Sequence, residues 1–150
     1  MSLGYTGMCK KELEDDELVI YSYSGENWND NGKSKSGDIL LYDGSFVIYK
    51  DCLEEPEIHT KLKKMPSGRK KIIEKRITHI PDIIEYVNDK RIVVEKECKN
   101  AFRQGTTMPI DYIAYLLILH VFERYQLDGE LPEKEGFIQY KNIIFSTNFI

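Results

Sequence analysis

The chain has 150 residues, of which 41% are hydrophobic and 31% are charged, and its formal net charge at pH 7 is −4. This composition is that of a folded globular protein and excludes a disordered or fibrous chain. The mild negative charge argues against a general affinity for nucleic acids or membranes, although it is compatible with a local basic patch.

The cysteines and the apolar runs bear on the cellular compartment. Cys9, Cys52 and Cys98 are far apart in the sequence and form no CxxC pair. We therefore expect free thiols and a reducing, cytoplasmic setting. The longest apolar run, from Tyr112 to Leu119, is much shorter than the roughly 20 residues of a membrane span, and we expect no membrane association.

We interpret residues 1–150 as a single domain, because a chain of this length buries a sizeable core without disulfides or metals. Residues 1–7 are a candidate expression leader ahead of a start at Met8. Residues 128–150 are interpreted either as containing a last strand or as a loosely held tail.

The first half of the chain predicts β-structure. A run of β-forming residues at 18–23 predicts a strand. Asp43-Gly44 between two apolar runs is typical of a tight turn and predicts a hairpin over 39–49. Alternating residues on both sides of a Pro-Ser-Gly turn predict a second hairpin over 58–78.

The second half predicts helices. Pro81 and Asp82 are typical of a helix start and predict a short helix over 81–88. Apolar residues with helical spacing predict a long helix over 109–126 that is apolar on nearly every side. The predicted fold class is α+β, with a mainly antiparallel sheet of about six strands packed on the long helix.

The long helix also suggests an interface. A helix with so little polar surface must be covered by its own chain or by a second copy of the protein. Tyr112, Leu116 and Leu119 lie on the sector that remains after the main apolar stripe is assigned to the core. We expect any homodimer contact of the helix to be there.

The polar loop over 24–37 resembles a calcium loop of the EF-hand type. Asn27, Asn29, Asn31 and Asp38 are spaced like the oxygen ligands of that loop. However, Asn27 replaces the first aspartate, Asp38 replaces the bidentate glutamate, and strands rather than helices flank the segment. We expect no bound metal or cofactor, and keep this set as the alternative.

A second short pattern combines an acidic residue with a Glu-Cys-Lys triplet. Pro81-Asp82 is followed by Glu97-Cys98-Lys99, and this arrangement resembles that of the PD-(D/E)xK nucleases. The resemblance implies that Asp82 and Glu97 bind a magnesium ion and that Lys99 positions the attacking water. An ordinary role as a first-turn acid of the short helix also accounts for Asp82.

The strongest charge cluster lies in the second predicted hairpin, where the segment 61–76 contains eight basic residues and one acid, Glu74. Such a hairpin can follow a phosphate backbone or orient an acidic protein partner. No aromatic residue alternates with these charges, so a stacking platform for single strands is missing. Lysines also protect exposed strands from aggregation. The candidate binding residues are Lys63, Lys64, Arg69 and Lys70.

Aromatic residues near the polar loop are a further candidate site. Trp28 is the single tryptophan, and Tyr21 and Tyr23 precede it. Aromatic side chains on loops often form binding sites. The alternative is that Trp28 covers the edge of the sheet.

No reactive set of residues stands out from the sequence. We therefore predict a small cytoplasmic protein without catalytic activity, which acts as a protein-interaction module or homodimer. The alternatives are a metal-dependent nuclease using Asp82, Glu97 and Lys99, and nucleic-acid binding by the basic hairpin over 61–76.

Overall fold

The computed structural model describes residues 5–27, 42–103, 105, 107–140 and 143–147. The elements are β1 (Tyr5–Glu14), β2 (Leu18–Asn27), β3 (Gly44–Tyr49), β4 (Glu57–Lys64), β5 (Lys70–Ile77), α1 (Ile83–Asn88), β6 (Ile92–Lys96), α2 (Tyr112–Asp128), β7 (Lys134–Tyr140) and β8 (Ile143–Thr147). Six of these strands form one antiparallel sheet in the order β6-β3-β2-β1-β7-β8, and two form a separate ribbon, β4-β5. The predicted α+β class with a mainly antiparallel sheet is confirmed.

The long helix α2 packs across one face of the sheet, mainly against β1 and β7. It begins three residues later than the predicted 109–126, because Asp111 is its N-cap and accepts a hydrogen bond from the Ala114 amide at 3.1 Å. It ends at Gly129, whose φ of 77° suits glycine. The short helix α1 begins after Asp82, in agreement with the predicted 81–88 within two residues.

Two glycines allow α2 to approach the sheet closely. Gly7 on β1 and Gly25 on β2 are direct cross-strand partners. A Cβ atom added at Gly25 would overlap with the Ile113 side chain, and one added at Gly7 would lie 3.0 Å from it. Because neither glycine has a side chain, the first turn of α2 lies close to the sheet at this position.

The two faces of the sheet differ in burial. Alternate residues of β2, namely Val19, Tyr21 and Tyr23, are fully buried on the face that α2 covers. Leu18 and Ile20 point to the other side and are only half-buried. We call the side with Leu18 and Ile20 the outer face of the sheet.

The structure corrects the predicted hairpin over 39–49. Its second strand is present as β3, but β3 pairs with β2 on one side and with β6 on the other. Gly44, predicted as a turn residue, is the first residue of β3 and faces Tyr23. Residues 39–41 lie outside the described part of the chain. The predicted hairpin over 58–78 is confirmed as β4 and β5.

Segments near both ends of the chain contribute strands to the main sheet. Tyr5, Thr6 and Gly7, which the sequence suggested as part of a leader, belong to β1. β1 lies between β2 and β7, and its pairing with β7 runs from Tyr5 opposite Gln139 to Lys10 opposite Lys134. Within 128–150, β7 and β8 form a hairpin at one end of the sheet.

Candidate functional site

The β4-β5 ribbon is the most exposed element of the described structure. Every residue of both strands is exposed to solvent. Within the described residues the two strands pair only with each other, so both outer edges carry backbone groups without a strand partner. An isolated two-stranded hairpin is marginally stable in water. A surface of this kind gains stability when a partner covers it.

One face of the ribbon carries its three most exposed aliphatic side chains, whereas Ile73 and Ile77 lie on the other face and are less exposed. Leu62 lies directly opposite Ile72, and Ile58 lies on the same side four residue pairs further along the ribbon. Their side chains are 61%, 68% and 52% exposed, respectively. We call Ile58, Leu62 and Ile72 the apolar face of the ribbon. A cluster of large aliphatic side chains open to water is typical of an interaction surface.

The ribbon is strongly basic in a chain that is otherwise acidic. Residues 57–77 contain eight Lys or Arg and two Glu, which is a net charge of +6. Because the whole chain carries −4, the remaining residues carry −10. This separation of charge favours a partner surface that is acidic.

The predicted binding residues Lys63, Lys64, Arg69 and Lys70 lie together at the tip of the ribbon. Lys64 faces Lys70, and Lys63 faces Lys71 on the opposite side. Like charges directly opposite each other destabilise a strand pair. An anionic partner would relieve this repulsion on binding.

The base of the ribbon is fixed to the end of α2. The Arg76 guanidinium donates to the carbonyl oxygens of Gln126 and Leu127 at 3.3 and 3.4 Å, where a cation also compensates the helix dipole. The buried Gln126 side chain accepts a hydrogen bond from the His79 amide and donates one to the His79 carbonyl, both at 3.0 Å. The ribbon is therefore anchored on the side of the sheet that carries the helix.

The helix sector predicted as an interface is largely covered by the chain itself. Leu116 is buried, and Tyr112 and Leu119 are half-buried. Leu116 and Leu119 line a groove of about 210 Å³ beside Thr78–Pro81, whereas the Tyr112 ring stacks on Tyr115. The three residues therefore do not form one exposed patch.

The aromatic candidates of the polar loop have a different position from the one predicted. Tyr21 and Tyr23 are fully buried beneath α2 and cannot present a binding surface. The Tyr21 hydroxyl donates to the Pro132 carbonyl at 2.7 Å, and the Tyr23 hydroxyl donates to Asp111 at 2.9 Å. Burial raises the pKa of both phenols. Trp28 lies outside the described residues.

The candidate calcium loop also falls outside the described residues, except that Asn27 ends β2. Asn29, Asn31 and Asp38 are not among the residues that the structure describes. Among those it does describe, no group of three or more His, Cys, Asp or Glu side chains is arranged to hold a metal ion.

The residues of the nuclease-like pattern have individual structural partners. The Asp82 carboxylate accepts a hydrogen bond from the Glu85 amide at 3.2 Å as the cap of α1. The Glu97 carboxylate pairs with Arg103, and the Lys99 amide donates to Asp43 at 3.0 Å.

The three cysteines are buried thiols. Burial raises the pKa of Cys52 to about 11 and that of Cys98 to about 12, and it raises the pKa of Cys9 further. A nucleophilic cysteine needs the thiolate near neutral pH. These surroundings favour the protonated thiol instead.

The sequence interpretation noted the charges of the ribbon but missed its apolar face. The alternation of Ile58, Thr60 and Leu62 was the available signal, although it does not reveal that no other described element covers these side chains.

Neither described helix is long and apolar enough to cross a membrane. No protein-family model, curated protein or solved structure matches the chain.

Proposed function

We propose that the protein is a non-catalytic protein-interaction module and that the β4-β5 ribbon is its binding element. The observation that supports this most directly is the exposed cross-strand pair Leu62–Ile72 within a ribbon of net charge +6. Large aliphatic side chains at the centre of a contact supply binding energy when they are desolvated, and the surrounding charges steer and orient the partner. The complementary surface is apolar with acidic surroundings.

A protein fits this surface better than a nucleic acid does. Phosphate contacts would use Lys63, Lys64, Arg69 and Lys70, but they would leave the apolar face of the ribbon in water. Residues 57–77 contain no Phe, Tyr or Trp on which unpaired bases could stack. A two-stranded ribbon does have the width of the DNA major groove, so double-stranded DNA is the competing ligand to test.

The absence of catalysis in this proposal is supported by the environment of the reactive side chains. Asp82 caps a helix and Glu97 pairs with Arg103. Cys98 is buried with a pKa of about 12. None of these groups combines a free reactive form with a nearby activating partner, which catalytic nucleophiles and bases require.

The proposal is tested by site-specific photo-crosslinking in cells. A photo-reactive amino acid at Thr60, on the same side as Leu62 and Ile72, is expected to give discrete protein adducts. The same amino acid at Asp89, which is exposed beyond α1, is the matched control and is expected to give none. Adducts of equal yield at both positions, or none at Thr60, would contradict the proposal.

The variant L62T/I72T removes two of the three side chains of the apolar face and places threonine, a good β-former, at both positions. We expect it to lose the Thr60 adducts and to bind the purified partner about tenfold more weakly or worse. Its unfolding temperature should equal that of the wild type, because both side chains are exposed. A mobility shift of double-stranded DNA that persists in this variant would instead favour the nucleic-acid alternative.

A further inference from the structure

From charge and exposed apolar surface we infer that the partner of the ribbon is a second copy of this chain. In the resulting two-fold dimer, the ribbon of each protomer packs on the outer face of the other protomer's sheet, at the end formed by the turn between β1 and β2. This inference rests on the proposed function, since it uses the ribbon as the binding element.

The outer face has an apolar surface at this end. Leu13 lies opposite Ile20, and Leu18 lies opposite Tyr49. The side chains of Leu13 and Tyr49 are 51% and 38% exposed. A surface of aliphatic and aromatic side chains therefore remains open where the sheet ends, on the side that α2 does not cover.

Acidic residues border this surface. Asp15 closes the turn by accepting hydrogen bonds from the amides of Glu17 and Leu18 at 2.8 and 2.9 Å. Asp16 and Glu17 are exposed beside it. Glu14 is balanced by ion pairs with Lys11 and Lys50, so the negative charge available to a partner comes from residues 15–17.

The ribbon and the outer face are thus complementary in two respects. Each contains exposed apolar side chains, and the ribbon is basic where the outer face is acidic. By contrast, two ribbons cannot pack on each other favourably, because each carries a net charge of +6. Opposite charge across an interface fixes the orientation of the partners, whereas like charge rejects the alternative.

The ribbon does not reach the outer face of its own sheet. Arg76 and His79 hold its base at the C-terminal end of α2, and α2 lies on the opposite side of the sheet. The apolar face of the ribbon and Leu13 are accordingly both exposed within one protomer. A second copy supplies each surface with its complement.

Two-fold symmetry also suits the size of the contact. A stable interface buries roughly 1,200–2,000 Å² in total, which is large for one short ribbon. Reciprocal exchange doubles the contact and closes the assembly at two protomers, whereas a one-way contact would continue into a ring or filament.

Two charge-reversed variants test this arrangement by sedimentation velocity at low ionic strength. K63E/K64E/K70E/K71E changes the net charge of the ribbon from +6 to −2, and it replaces two like-charged cross-strand pairs by two others, so the ribbon should fold as before. D16K/E17K makes the border of the outer face basic and leaves the turn residue Asp15 intact. The wild type is expected to be a dimer at micromolar concentration.

Each variant alone is expected to dissociate about tenfold more readily or to be monomeric. An equimolar mixture is expected to dimerise again, because the acidic ribbon then meets the basic face and the basic ribbon meets the acidic face. Misfolding of either variant cannot produce this recovery. High salt should weaken the wild-type dimer.

A wild type that is monomeric under these conditions would overturn the inference, and so would a mixture that stays monomeric. In either case the proposed function is judged separately by the Thr60 adducts. Adducts with a different protein would retain the ribbon as a binding element while rejecting the second copy as its partner.

Discussion

Replacing Gly25 by valine is expected to destabilise the protein by about 3 kcal/mol, which is the upper end of the usual cost of overpacking. Gly25 lies beneath Ile113, and an added Cβ atom would overlap with that side chain. Ile113 is fully buried in the core, so its side chain cannot move aside without displacing its neighbours. The free energy of unfolding should fall without loss of the strand itself, since valine is a good β-former.

Thermal unfolding followed by circular dichroism measures this effect. For a chain of this length we expect the unfolding temperature to fall by about 6–12 °C. S22V is the matched control, because Ser22 is on the same strand but on the outer face and is half-buried. Equal unfolding temperatures for G25V and S22V would show that the glycine pair does not determine how closely α2 approaches the sheet.

The variant Q126L is expected to release the base of the ribbon from α2. Leucine has nearly the volume of glutamine but cannot bond to the His79 amide and carbonyl, which Gln126 holds at 3.0 Å. The two hydrogen bonds are partly buried, and a buried polar group that loses its partner costs about 1–3 kcal/mol. We expect a loss of about 2–4 kcal/mol in the free energy of unfolding, together with local opening at residues 76–80.

Hydrogen exchange distinguishes the local opening from general destabilisation. The His79 amide should exchange faster in Q126L than the global loss of stability alone requires, because its acceptor is removed. The control is E123L, because Glu123 lies one turn earlier on α2 and is exposed. Unchanged protection of His79 in Q126L would mean that Arg76, and not Gln126, fixes the ribbon to the helix.

The elements with strong local signals could be predicted from the sequence. The long helix follows from its apolar spacing and the 58–78 hairpin from alternation around a turn. In contrast, β1 was missed, since its second half is rich in Lys and Glu and resembles an exposed terminus. Its strand character comes from pairing with β2 and β7, and pairing partners far apart in sequence leave no local pattern.

The candidate site was predictable only in its charge. Counting Lys and Arg locates the basic hairpin, but the exposure of Leu62 and Ile72 depends on the absence of a covering element among the described residues. The same limit explains the error at Tyr21 and Tyr23. Aromatic side chains close to a polar loop suggest binding, yet α2 buries both residues, and only the tertiary structure reveals this.

The opposed lysines at the tip of the ribbon have a consequence for evolution and engineering. Lys64 faces Lys70 at a cross-strand distance of about 5 Å, so repulsion between the two ammonium groups destabilises the unbound ribbon. An anionic partner surface would relieve this repulsion, and the relief would contribute to the binding affinity. A variant such as K64T would make the isolated ribbon more stable and its complex weaker, and selection for thermal stability alone would erode recognition.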